Sequence, residues 1–370
     1  MKIQNVFPIV GIIPSLNPDK KLFEVVSQLF VEGFTDVIVV DDGSDDKHKD
    51  IFYKLENLKG CTVLHHKENF GKGRGLKTAF AYYLKNFNQN EYFGVVTADA
   101  DGQHLPVDIY NTAKAVIRNG KDEPFLALGT RDFDEEIVPF KSRKGNKITT
   151  TVFKLLYGKL INDTQTGLRG ISNSFIPECL SMKGERFEYE INMLIVAARK
   201  KYKIEEVVIK TVYFNSNRET HFNPLKDSLR IYRVMFMSFI LFSCSGLISV
   251  IVDQGLFALF VHYIFSDFIY SVAIPLSSLI ARLCSSFVNY SLNRKFVFSS
   301  GKIKFKNLIR YYILCLVQIC ISALTVTIIY SLVHINSSFI KLIVDGLLFL
   351  ISYRIQQSWV FPIEIESEDK

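Results

Sequence analysis

Four short clusters hold the residue types that could do chemistry. Thr97-Ala-Asp-Ala-Asp-Gly-Gln-His104 sets Asp99 and Asp101 two residues apart, with Gln103 and His104 just beyond. Two carboxylates held at a turn can bind a hard divalent cation through oxygen and leave coordination sites for phosphate oxygens. The same spacing also makes an Asx turn that caps a following helix, so the motif alone leaves both readings open. Val39-Val-Asp-Asp-Gly-Ser44 closes another apolar run with Asp41 and Asp42, and an acid at a strand end can hydrogen-bond a ribose hydroxyl. Pro14-Ser-Leu-Asn17 makes a third turn. Asn69-Phe-Gly-Lys-Gly-Arg-Gly-Leu-Lys77 is a glycine-rich basic loop running into a helical stretch, offering backbone N–H groups and the Lys72 ammonium to phosphate. It has neither Walker nor G-x-G-x-x-G spacing. Each cluster taken singly is a turn, a cap or a solvated face. Four of them on one sheet edge argue for a ligand site.

The elements that must position these clusters alternate along residues 1–230. Short apolar runs at Val6–Ile13, Val37–Val40, Thr62–His65, Tyr92–Thr97 and Leu126–Gly129 predict strands. Segments of helical period lie between them, at Lys20–Glu32, Gly75–Lys85 and Val107–Arg118. Continuous apolar strands separated by helices predict an α/β fold with a mostly parallel sheet, whose carboxyl-end edge binds ligands.

Composition then changes sharply. The 370 residues carry 44 Lys+Arg and 37 Asp+Glu and are 48% hydrophobic, yet residues 234–370 hold only 10 of those bases and 7 of the acids. This excludes a wholly soluble protein, a disordered chain and a small disulfide scaffold, and the modest positive balance does not make a nucleic-acid binder. Four apolar segments, about 234–265, 268–293, 308–333 and 336–361, are each long enough to span a bilayer. The connection Arg294–Arg310 contains Arg294, Lys295, Lys302, Lys304, Lys306 and Arg310, whereas the two opposite connections contain no Lys or Arg. Positive-inside bias therefore places that loop, the N-terminal domain 1–230 and the acidic tail 363–370 in the cytosol. The six cysteines include no C-x-x-C pair and read as small buried hydrophobes of a reducing compartment. No cleaved signal is expected at Met1–Val10.

Two further features belong to the apolar third. Tyr290-Ser-Leu-Asn-Arg-Lys-Phe-Val-Phe298 and Tyr353-Arg-Ile-Gln-Gln-Ser-Trp-Val-Phe361 end the second and fourth segments in the same register. They read as a two-helix duplication or as two interfacial aromatic belts. Asp253, Arg282 and Asp345 are ionisable groups within apolar runs, either functional or paired between helices.

The ordered set Pro14…Asn17, Val-Asp-Asp-Gly-Ser, Asn-x-Gly-Lys-Gly, Asp-Ala-Asp-Gly-Gln-His and Asp163-Thr-Gln-Thr-Gly-Leu-Arg169 resembles family 2 glycosyltransferases of the GT-A fold. Within them it is most similar to the dolichol- and polyprenyl-phosphate sugar synthases, over about residues 5–215. The four spans resemble a GtrA-like membrane domain, 231–362. The chain departs from the family at Pro14-Ser-Leu-Asn-Pro-Asp-Lys, where acidic residues usually follow the Asn.

The resemblance implies that Asp99, Asp101 and Gln103 hold Mg²⁺ or Mn²⁺ against the diphosphate of a UDP- or GDP-sugar. It implies nucleotide contacts from Pro14, Asn17, Asp41, Asp42, Ser44, Lys72, Asp99 and Ala100. A polyprenyl phosphate (undecaprenyl or dolichyl) is the implied acceptor, with inversion at the anomeric carbon, at the cytosolic face of a bacterial inner (plasma) membrane. Guanidinium groups suit the alignment of two anions, so Arg131, Arg143 with its neighbour Ser142, and Arg169 are candidates for the acceptor phosphate, and the segment before the first span adds Arg218 and His221. Arg131 and Glu188 join Asp99 and Asp101 as candidate catalytic groups, Glu188 by ordering the acceptor loop. Long apolar faces are compatible with a homo-oligomer. Two rival readings compete with this one. A processive polysaccharide synthase would carry Gln-x-x-Arg-Trp, but Trp359 follows Gln-Gln-Ser. A lipid-linked sugar translocator with a nucleotide-sugar-binding domain would not need the complete Asp-Ala-Asp-Gly-Gln-His set.

Overall fold

The computed structural model describes residues 7–133, 140–210, 226–298, 304–333 and 335–362. The chain divides into two compact units, Met1–Met235 and Phe236–Lys370.

The first unit is built on a seven-stranded sheet: β1 (Ile9–Ser15), β2 (Val37–Asp41), β3 (Cys61–His65), β4 (Gly94–Thr97), β5 (Phe125–Arg131), β6 (Arg169–Ser172) and β7 (Lys203–Ile209), in the order β3-β2-β1-β4-β6-β5-β7. All pairings are parallel except those of β6, which runs antiparallel to β4 and β5. Every residue of β1, β2 and β4 is buried, as a sheet covered on both faces requires. The covering helices are α1 (Lys21–Val31), α2 (Lys49–Glu56), α3 (Lys72–Asn86), α4 (Pro106–Asn119), α5 (Phe140–Tyr157), α6 (Ile176–Ser181) and α7 (Glu188–Arg199). Leu22, Val25, Val26 and Leu29 of α1 follow the helical period and pack with Ile9, Ile13, Val37 and Val39 in one cluster. Burying one such side chain stabilises the fold by about 1.5–3 kcal/mol.

β6 and β7 were not anticipated as strands. β6 is a four-residue Arg-Gly-Ile-Ser stretch without an apolar run, and β7 is a partly exposed edge strand carrying Lys203, Glu205 and Glu206. Edge strands bury one side and so lose the continuous apolar signature.

Helix α8 (Lys226–Leu259) begins in the first unit, where Thr149 and Tyr232 hydroxyls meet at 3.1 Å and the Tyr157 hydroxyl donates to Met235 O at 2.8 Å. The second unit contains the rest of α8, α9 (Tyr270–Leu292), α10 (Phe305–Val333) and α11 (Ser337–Ile355). Among the described residues three helical segments are long and apolar enough to cross a membrane: Lys226–Ile264, Tyr270–Val297 and Phe305–Val333. The fourth anticipated span is the 19-residue α11, which carries Lys341, Asp345 and Arg354. The acidic tail 363–370 and Lys302 lie outside the described residues.

In this unit the polarity is inverted. Leu316 and Ile319 are 64% and 66% exposed, whereas Ser245, Asn293 and Gln356 are buried. The two matched stretches have matching structures: π-helical turns Asn293–Val297 and Gln356–Val360 follow α9 and α11, and Tyr290 and Tyr353 are both buried. Phe298 stacks on Phe361 with ring centroids 5.2 Å apart.

Candidate active site

Parallel register brings the clusters together. Ser15 pairs with Asp41 and Ile12 with Thr97, so the turns after β1, β2 and β4 leave the sheet at one edge. They open onto a cleft of about 690 Å³ lined by Pro14, Ser15, Leu16, Asn17, Asp42, Asn69, Gly71, Lys72, Asp99, Ala100, Asp101, Gln103 and Arg131. Further lining comes from Thr164, Gln165, Arg186, Phe187, Glu190, Ile191 and Ile231.

At the centre, Lys72 Nζ lies 2.6 Å from Asp99 Oδ1 and 3.0 Å from Glu190 Oε1. Burial alone would lower the Lys72 pKa, but Asp99 and Glu190 outweigh it and hold the ammonium charged. Burial likewise works to raise Asp99, and Lys72 with His104 overrides it, keeping this carboxylate ionised. His104 Nε2 stands 3.4 Å from Asp99 Oδ2. For Asp101 the balance goes the other way: burial, then the Asp99 charge, push its carboxyl up, against the Gln103 N–H that donates to it at 3.0 Å and the His104 and Lys72 charges. Gly167 is required behind Asp99, because a Cβ there would stand 2.7 Å from the carboxylate carbon.

The glycine-rich loop works differently from the expectation. Two of its N–H groups are taken by Asp42 rather than offered to the cleft. Phe70 N donates to Asp42 Oδ1 at 3.0 Å and Gly71 N to Oδ2 at 2.7 Å, while His66 Nδ1 meets Oδ1 at 2.7 Å. Gly71 has φ +105°, and a Cβ there would press 2.6 Å from Arg186 Cγ, so only glycine lets the loop pass. Asp42 thus pins the loop that starts α3, and Lys72, the first residue of α3, is delivered into the cleft.

Other anticipated contacts are also internal. Asp41 Oδ1 accepts from Ser44 N at 2.8 Å, and its Oδ2 meets His65 Nδ1 at 2.9 Å. Ser44 Oγ accepts from Asn17 N, and Asn17 exchanges side-chain bonds with Asp45. Asp41 and Ser44 line a smaller depression of about 450 Å³ with His65 and Tyr53, rather than the main cleft. Pro14, Asn17, Ala100 and Asp42 line the main cleft.

Among the cationic candidates, Arg131 lines the cleft and is held by the fully buried Asp163, Nε to Oδ2 at 2.6 Å and Nη2 to Oδ1 at 3.0 Å. That bidentate clamp fixes the plane of the guanidinium. Arg169 is fully buried and does not line the cleft: its Nε donates to Thr166 O at 3.0 Å and its Nη1 to Glu190 O at 2.5 Å. Burial lowers its pKa, and its role is to brace the Thr166 turn against α7. Arg143 is half-buried on α5 and is not a lining residue; the Ser142 side chain, Arg218 and His221 lie outside the described residues.

Glu188 accepts from the backbone N–H groups of Glu185 and Arg186 at 3.1 and 3.2 Å, ordering the turn before α7 from outside the cleft. The acid that enters the cleft is Glu190, which was not singled out. Two residues apart on a helix are 200° apart around it, so Phe187-Glu-Tyr-Glu190 sends its acids to opposite sides. The signal that could have selected Glu190 is the start of α7 at Glu188.

Asp99, Asp101 and Gln103 suit a hard dication. All three offer oxygen and line one cleft, and the burial and Asp99 charge that raise Asp101 are what a cation would offset. No group of three or more His, Cys, Asp or Glu that could hold a metal occurs among the described residues. A cation here would need ligands from outside the chain, as phosphate oxygens or water.

Two family models match the chain: glycosyl transferase family 2 over residues 12–178, and the GtrA/DPMS transmembrane domain over residues 241–361. An uncharacterised protein of Methanocaldococcus jannaschii is 33% identical over 210 residues, 55% of this chain and 80% of its own length. The UDP-N-acetylglucosamine–dolichyl-phosphate N-acetylglucosaminyltransferase of Methanococcus voltae is 29% identical over 241 residues, 61% of this chain and 94% of its own. Among solved structures, glucosyl-3-phosphoglycerate synthase from Mycobacterium tuberculosis matches with TM-score 0.44 and 17% identity, covering 63% of this chain and 77% of that one. The chain belongs to the family 2 glycosyltransferases, joined to a GtrA/DPMS-type transmembrane domain. It is a membrane protein and a glycosyltransferase.

Proposed function

We propose that the protein transfers a sugar from a UDP- or GDP-sugar to a polyprenyl phosphate at the cytosolic face of the plasma membrane, inverting the anomeric carbon. The observation that carries this reading is one cleft lined by Asp99, Asp101, Lys72 and the clamped Arg131. The dolichyl-phosphate acceptor of the Methanococcus voltae relative and the matched membrane domain support the lipid acceptor.

In the transfer, an oxygen of the lipid phosphate forms a bond to the anomeric carbon while the bond from that carbon to the donor diphosphate breaks. A nucleoside diphosphate leaves. The acceptor is already an anion at neutral pH, so no proton must be removed and no general base is needed. What the cleft must do is align two anions and stabilise the leaving charge. Lys72 supplies an ammonium to the diphosphate, and Arg131, its plane fixed by Asp163, supplies a two-pronged donor to the acceptor phosphate. Arg143, Ser142, Arg218 and His221 stand as further acceptor-side candidates. Mg²⁺ or Mn²⁺ held by Asp99, Asp101 and Gln103 would neutralise charge on the leaving diphosphate.

The test is transfer of radiolabel from a panel of UDP- and GDP-sugars into organic-extractable lipid. It uses purified membranes, polyprenyl phosphate, and Mg²⁺ or Mn²⁺ with an EDTA control. Metal-dependent label in the lipid phase is expected from at least one donor. Donor binding without transfer by any of them would contradict the proposal.

A further inference from the structure

The cleft already contains a cation of its own. Lys72 Nζ stands 2.6 Å from Asp99 Oδ1, on the carboxylate that a divalent ion would also need. Its side chain is only 15% exposed, so it cannot swing freely into water. Glu190 Oε1 provides a second carboxylate oxygen 3.0 Å away, on a side chain 8% exposed. Asp42 fixes the backbone just before Lys72, and Tyr189 and Glu185 crowd the glycines on either side. The ammonium is therefore confined to a short path between two acids.

Resting on the metal-dependent transfer proposed above, we infer that Lys72 is an exchangeable counter-cation: it holds Asp99 when the cleft has no nucleotide, and passes to the donor diphosphate when nucleotide and metal enter, with Glu190 retaining it throughout. The charges require some such device. Asp99, Asp101 and Glu190 are three acids in a confined cleft, and uncompensated buried charge is costly. With Lys72 alone, Asp99 is satisfied but its Oδ1 is occupied. A dication and a diphosphate arriving together supply both a new partner for Asp99 and a new anion for Lys72. Either arriving alone supplies only one. Metal and nucleotide binding are then coupled through one side chain, and the coupling is reciprocal. Glu190 is assigned as a positioning residue, because it acts on the diphosphate through Lys72.

The experiment measures Mn²⁺ binding by paramagnetic resonance on the full-length protein in nanodiscs, without nucleotide and with UDP or GDP. In the wild type, UDP or GDP tightens Mn²⁺ binding. Lys72→Met should bind Mn²⁺ about tenfold more tightly without nucleotide, the scale of a close charge pair removed, and should show a correspondingly smaller tightening by nucleotide, the part due to phosphate ligation of the metal alone. Lys72→Arg, which can still bridge two carboxylates, should keep the wild-type pattern and so controls for misfolding. A simple loss of positive charge would tighten Mn²⁺ equally with and without nucleotide, and that result overturns the exchange. So does unchanged Mn²⁺ affinity in Lys72→Met. If the wild type binds no Mn²⁺ under any condition, the metal reading itself falls and the exchange with it. Binding abolished by Asp101→Asn but unmoved by Lys72→Met leaves the metal reading standing and removes only the exchange.

Discussion

The two units solve opposite solvation problems. In the first, Ile38, Val39 and Val96 are fully buried and the polar side chains gather at one edge of the sheet, around the cleft. In the second, leucines and isoleucines face outward and amides face inward. Asn293 Nδ2 donates to Gln356 Oε1 at 3.1 Å and to Asn289 Oδ1 at 2.9 Å, the Asn289 carboxamide accepts from Tyr311 at 3.0 Å, and Ser245 donates to Asn293. Arg282 pairs with Asp253 at 3.2 Å, and Asp345 pairs with Lys341 at 2.9 Å while accepting from Ser322 at 2.5 Å. In lipid an apolar side chain gains little by turning inward, so packing and hydrogen bonds between helices must hold the unit together. In the first unit Asp99, Asp101 and Gln103 line an open cleft, whereas the polar groups named in the second are committed to one another.

The largest expected effect lies in the cleft. Asp101→Asn should reduce transfer by about a hundredfold or more, the scale of losing one electrostatic group that acts on transition-state charge. It should also raise the melting temperature of the metal-free protein, because it removes one of two mutually repelling, partly buried carboxylates. Activity and stability measured on the same preparation check both signs. Next, Ile38→Ala in the sheet core should destabilise the first unit by about 2–5 kcal/mol, through lost transfer energy and a cavity. Asn293→Leu in the membrane unit should cost about 0.6 kcal/mol and no more than about 1.7 kcal/mol, read by denaturation in detergent. An Asn293 effect as large as that of Ile38 would break the contrast between the units.

The smallest effect is a pH dependence at His65. Burial lowers its pKa, but Glu56 and Asp41 outweigh this and raise it. A histidine raised in the folded state stabilises below its unfolded pKa of about 6.5, and that contribution is lost as pH rises through the folded value. The melting-temperature gap between wild type and His65→Gln should therefore be widest near pH 6 and close toward pH 9. His65 is 44% exposed, so the gap corresponds to a few tenths of a kcal/mol, about the value of a solvent-screened pair.

Much of this was legible in the residues because it is local. Strands β1 to β5 announce themselves by apolar runs, and the carboxylates at the ends of β2 and β4 mark the working edge. The apolar third is visible in charge counts alone. What escaped depends on partners far along the chain. Asp42 lines the cleft as expected of a nucleotide contact, but its second task, holding the Phe70 and Gly71 N–H groups 28 and 29 residues away, is not visible in the residues. Arg169 reads as a phosphate binder until its guanidinium is found on the carbonyls of Thr166 and Glu190. Glu190 was hidden because its direction depends on where α7 starts. β6 and β7 were missed because one is too short and the other too exposed for an apolar run.

The most direct test of the account is to analyse the lipid product of the purified full-length protein in nanodiscs, by mass and by anomeric configuration. The panel's active donor and polyprenyl phosphate are supplied, with and without EDTA. The account predicts a polyprenyl monophosphate carrying one sugar of inverted configuration, absent with EDTA and absent with Asp101→Asn. Free sugar alone, a retained configuration, or a product that forms equally in EDTA would contradict it.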